Sequence, residues 1–83
     1  MIIKLKKQHV EYLKGNLKEA EQELYNRLIR SELYEYMFDF NENLISTLRD
    51  WASDRLQRVG FDENYNVNHE GALLEELIDI LYL

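Results

Sequence analysis

The sequence predicts an all-α fold, a small helical bundle, and three observations carry that expectation. Apolar residues recur at steps of three and four along most of the 83 residues, which sets them on one face of a helix. Proline is absent and glycine occurs only three times, so the two strongest helix breakers are nearly missing. Hydrophobic residues make up 46% of the chain and aromatic residues 12%, which is enough to fill a core and excludes disorder. The length fits one domain, residues 1–83, because a second core could not be filled.

The first helix is expected over residues 7–30, where Val10, Leu13, Leu17, Ala20, Leu24 and Leu28 share a face. Lys7 with Glu11 and Glu23 with Arg27 are i,i+4 pairs on its outer side. Gly15 lies inside it and marks either a bend or a close approach by another element. A second stripe, Leu44, Leu48, Ala52, Leu56 and Val59, predicts a helix with Ile45 and Trp51 flanking the face and Asp54 paired to Arg58 outside. Gly60 follows the last apolar residue, the usual place of a left-handed helix-ending glycine, and Arg55 and Arg58 suit the negative end of the dipole. After a polar loop over residues 61–68, Leu73, Leu74, Leu77, Ile78 and Leu81 predict a third helix, with Asn68 as N-cap, Glu70 in the first turn and Val67 placed to close the cap.

Residues 33–40 carry two competing periods. Tyr34, Tyr36, Phe38 and Phe40 alternate with Glu35, Met37 and Asp39, as in a strand. Leu33, Met37, Phe40, Leu44 and Leu48 also continue a helical period into the second helix. The helical reading is preferred; the alternative is an α+β fold with short strands at 2–5 and 34–40.

Charge is distributed unevenly over a chain whose net charge is −6. Lys4, Lys6, Lys7, Lys14 and Lys18 face a lone Glu11 near the start, whereas residues 60–83 contain no Lys or Arg and carry Asp62, Glu63, Glu70, Glu75, Glu76 and Asp79. Such an asymmetry bears on partners rather than on fold. The overall field opposes direct binding to nucleic acid or an anionic membrane, so the lysines read as a solvated basic end. No cysteine is present, which excludes disulfides and thiolate zinc sites and points to a cytoplasmic setting. No apolar run approaches the ~20 residues of a membrane span.

The candidate sites for chemistry are weak beside their structural readings. Asp62, Asn64, Asn66, Asn68 and Glu70 fall at every second position, as calcium-loop ligands do. That pattern requires Gly where Val67 stands and Glu where Leu73 stands, so a capped helix-entry loop is the better reading. His9 and His69 have no partner at ligand spacing and are expected on the surface. No nucleophile motif surrounds Ser31, Ser46 or Ser53. Glu19 with Glu23 and Asp50 with Asp54 read as solvated helix faces, since Glu-x-x-His occurs nowhere. No catalytic residue, metal site or cofactor is therefore expected, and the chain does not read as an enzyme.

Binding remains. The acidic residues Asp62, Glu63, Glu70, Glu75, Glu76 and Asp79 are the expected contact surface for a basic protein, with carboxylates taking the place of phosphates on a nuclease or nucleic-acid-binding partner. Inhibitors encoded by phages and mobile elements, and immunity proteins, share this small, acidic, helical character by analogy of composition. The alternative is a self-associating structural or regulatory helical protein, a homodimer whose interface is Tyr34, Tyr36 and Phe38, because four aromatics in seven residues cannot all face one core.

Overall fold

A computed structural model describes residues 1–82. The elements in chain order are β1 (Ile2–Lys4), α1 (Lys7–Ala20), α2 (Gln22–Ser31), β2 (Glu32–Tyr34), β3 (Met37–Asp39), α3 (Glu42–Val59) and α4 (His69–Leu81). The fold is mainly helical with a small antiparallel sheet in the order β1-β3-β2, so the pure bundle is corrected to the α+β alternative. Contacts group the chain into two compact units, Met1–Leu44 and the part from Ile45 onward, with α3 beginning in the first and continuing through the second.

In the first unit the strand period wins over the helical one at residues 33–40. Phe38 and Phe40, two apart, point to one side and are fully buried, with their rings stacked at 5.2 Å. The deciding partner is remote in sequence. β1 pairs along β3 with Ile3 opposite Phe38, and the Leu5 amide donates to the Tyr36 carbonyl at 2.9 Å. Tyr36 sits in the hairpin turn at φ 64°, a left-handed conformation for which a glycine or asparagine would have been the sequence signal. Ile3 and Leu5 are buried on the same side as Phe38.

The expected single helix over 7–30 is two helices. Glu21 leaves the helical region at φ −138° and ψ 70°, yet its amide still donates to the Leu17 carbonyl and its carbonyl accepts from the Tyr25 amide. Little hydrogen bonding is lost at the break, and Ala20 beside it is exposed rather than buried. Val10, Leu13 and Leu17 from α1 and Leu24 and Leu28 from α2 are buried as the stripe requires. Gly15 marks no close approach, because nothing lies within 4 Å of the point where a Cβ would stand, and α1 runs through it unbroken. His9 is a second correction: it is buried in the first turn of α1, where its Nδ1 accepts from the Lys6 amide at 3.4 Å.

In the second unit Ile45, Leu48 and Ala52 of α3 and Leu74, Leu77 and Leu81 of α4 are buried. Asn68 caps α4 as its position suggests, accepting from the Gly71 amide at 2.8 Å. Gly60 follows α3, but neither it nor any other glycine takes positive φ. Its role is steric: a Cβ on Gly60 would fall 2.5 Å from the Leu56 carbonyl oxygen, and one on Gly71 would overlap the Gly60 carbonyl oxygen. No helix among the described residues is long and apolar enough to cross a membrane.

Candidate protein-binding surface

The loop between α3 and α4 is built almost entirely from its own polar groups. The Asp62 side chain accepts from the Asn64 amide at 2.8 Å and the Asn66 amide at 3.0 Å. The Asp62 amide donates to the Asn66 carbonyl, and the Tyr65 amide to the Asp62 carbonyl. Phe61 bridges Val67 across the base, where the Asn68 amide donates to the Gly60 carbonyl at 2.9 Å and its side chain donates to the Val59 carbonyl at 2.8 Å. The Asp62 and Asn68 side chains thus close the turn and the cap, while Asn64 and Asn66 take part through their backbone. Among the described residues no cluster of His, Cys, Asp and Glu suited to a metal ion occurs.

At the tip of this framework Tyr65 adopts φ 63° and leaves its side chain 86% exposed. Left-handed backbone at a bulky residue is uncommon, and such strain concentrates at binding sites. Phe61 and Val67 are also exposed, at 40% and 44%. These three residues are not among the candidates that the sequence suggests. The available signal is a lone tyrosine set between turn-forming asparagines, where neither packing nor turn chemistry calls for an aromatic.

The acidic candidates divide into two groups. Asp62 and Glu63 on the loop and Glu75 and Asp79 on α4 are exposed. Glu75 and Asp79, four apart, share a face of α4 with exposed Ala72. Glu70 is half-buried and bonded to the Arg55 guanidinium at 3.2 Å, so it serves the packing of α4 on α3. Glu76 is also half-buried. The last turn of α4 holds no basic residue, which leaves Asp79 near the negative end of the helix dipole.

The aromatic candidates divide as well. Phe38 is fully buried and belongs to the core, so it cannot anchor an interface on the surface. Tyr36 is half-buried in the hairpin turn, and Tyr34 is 66% exposed on β2 next to Leu33, itself 50% exposed. β2 is an edge strand with one side unpaired in the sheet.

A separate cleft of about 350 Å³ opens in the first unit, lined by Arg27 and Arg30 of α2, Leu33, Asp39, Asn41 and Leu44. Arg27 donates to the Asn43 side chain at 2.7 Å, and Asn41 caps α3 by accepting from the Leu44 amide at 2.7 Å. Comparison with known proteins finds no matching family model, no matching curated protein and no matching solved structure.

Proposed function

We propose that this chain is a small acidic protein-binding module, an inhibitor or antagonist that covers a basic partner of the nucleic-acid-binding or nuclease type. The observation that carries the reading is the set Asp62, Glu63, Glu75 and Asp79, exposed carboxylates in a stretch without Lys or Arg. Fields of one sign accelerate encounter with a partner of the other sign and discourage wrong partners. Tyr65 supplies what a charged surface lacks, a large amphipathic group of the kind that dominates binding energy at interface centres. The loop is already ordered by its own hydrogen bonds, which lowers the entropy cost of docking it. Glu70 is left out of the contact set because it bonds Arg55 within the helix pair, and Glu76 because it is half-buried. The module is proposed to act without catalysis and without touching nucleic acid itself, and a chain without cysteine suits a cytoplasmic setting.

Affinity capture from the cells of origin tests the reading, with the wild type beside a variant carrying Asp62→Asn, Glu63→Gln, Glu75→Gln and Asp79→Asn. The expected result is a basic protein retained by the wild type and lost from the variant. Equal retention by both would remove the acidic surface from the interaction.

The second reading, self-association in a structural or regulatory role, is favoured by Leu33 and Tyr34 on the free edge of β2. An exposed apolar edge strand offers unpaired backbone groups to a second copy. Sedimentation of the wild type beside Tyr34→Glu separates the readings. A dimer abolished by that change supports self-association, and a monomer at high protein concentration removes it.

A further inference from the structure

We infer that the first unit carries a binding site of its own, the cleft between α2 and the start of α3, selective for a carboxylate attached to an apolar group. Its volume of about 350 Å³ lies at the lower end of the ~300–1,000 Å³ typical of small-ligand clefts. Two guanidinium groups line it from positions three apart on α2, and they are not equivalent. Arg27 is half-buried and held in place by its bond to Asn43 at 2.7 Å. Arg30 is exposed and makes no hydrogen bond or ion pair among the described residues. Asp39 makes no ion pair with either guanidinium among the described residues, its Oδ1 lying 3.2 Å from the Met1 nitrogen. Arg30 stands in the last turn of α2, where a cation suits the helix dipole. That accounts for one arginine, but not for Arg27 a turn earlier or for the exposed Leu33 beside them.

The lining also narrows the ligand. A planar guanidinium matches a carboxylate through two parallel N–H donors. Asp39 in the same lining opposes a second negative charge, which favours a monoanion over a phosphate ester. Of the two lining leucines Leu44 is buried and Leu33 is 50% exposed, so an apolar group next to the carboxylate would cover Leu33 surface now in water. Two sources share this chemistry, a free acylated apolar amino acid and the carboxyl end of a peptide.

Titration of the full chain followed by NMR decides the matter, with N-acetyl-leucine as the free carboxylate, an N-acetylated tripeptide ending in leucine as the peptide end, and N-acetyl-leucine amide as the uncharged control. The expected result is saturable shifts at the Leu33 and Leu44 methyls and the Arg30 Nε–H, at roughly millimolar dissociation constant. Binding should weaken about tenfold or more with the amide and with Arg30→Gln, the loss expected for a charge-assisted pair. Arg30 is exposed, so that variant should keep the wild-type backbone spectrum. Tighter binding of the tripeptide assigns the site to a protein end, and equal binding assigns it to the free carboxylate. No saturable shift, or equal binding of the amide, would overturn the proposal. The outcome is independent of the acidic surface in the second unit.

Discussion

Gly60 and Gly71 meet backbone to backbone, close enough that a Cβ on Gly71 would overlap the Gly60 carbonyl at 2.1 Å. This contact brings the end of α3 against the start of α4 and sets the span that the loop carrying Tyr65 must close. The obstructing atoms belong to the backbone, so neither side can yield by a rotamer change. Gly71→Ala is expected to destabilise the chain by about 2–3 kcal/mol, at the upper end for overpacking. Urea denaturation checks it through a lowered midpoint at unchanged slope.

Gly15 is the opposite case. It lies within α1 with open space where a side chain would go. Gly15→Ala should therefore stabilise by roughly 0.5–1 kcal/mol through helix propensity and a less flexible unfolded chain. A thermal scan showing a higher midpoint at an unchanged far-UV spectrum is the expected outcome.

These two glycines illustrate where the sequence is legible. Local signals succeed: the apolar stripe beginning at Leu44 locates α3, and Asn68 locates the start of α4 because its side chain caps within three residues. Signals that depend on a distant partner fail. Residues 32–39 form a hairpin because β1 supplies backbone partners from the far end of the first unit, and Tyr36 turns without the glycine that would announce it. The position of Gly60 suggests a left-handed cap, whereas a Cβ there would run into the Leu56 side chain and carbonyl at negative φ, and the glycine required by the helix pair is Gly71. The acidic candidates are visible as composition, but their division into exposed Glu75 and Asp79 and half-buried Glu70 depends on Arg55 and on packing.

Tyr65 separates stability from binding. Its side chain is almost free of contacts, so Tyr65→Gly changes mainly the backbone preference at φ 63°. Relief of left-handed strain, about 1–2 kcal/mol, is partly offset by the flexibility glycine adds to the unfolded chain. The variant should be as stable as the wild type or up to about 1 kcal/mol more so. If Tyr65 anchors the partner, the same variant should bind it at least tenfold more weakly, as loss of a contact worth about 1.4 kcal/mol or more implies. A less stable variant would show that the tyrosine serves the fold.

Asp79 stands near the negative end of α4, whose own last turn holds no basic residue, although the Arg49 guanidinium of α3 reaches the Leu81 carbonyl at 3.5 Å. Asp79→Lys reverses the sign of its interaction with the helix dipole and should raise stability by about 0.3–1 kcal/mol at low salt. The gain should shrink as salt is added, because the site is exposed and screened. Chemical denaturation by urea, which is uncharged, at low and high sodium chloride measures both effects.

The central claim is that Asp62, Glu63, Glu75 and Asp79 form the surface that draws a basic partner. The most direct measurement is the association rate of the captured partner with the wild type and with the neutralised fourfold variant, each at low and high salt. The wild-type rate is expected to fall steeply as salt rises, and the variant to associate about tenfold or more slowly at low salt with little salt dependence left. Identical rates for both proteins at low salt, with the complex held equally at high salt, would contradict the claim and leave the exposed apolar residues as the source of binding.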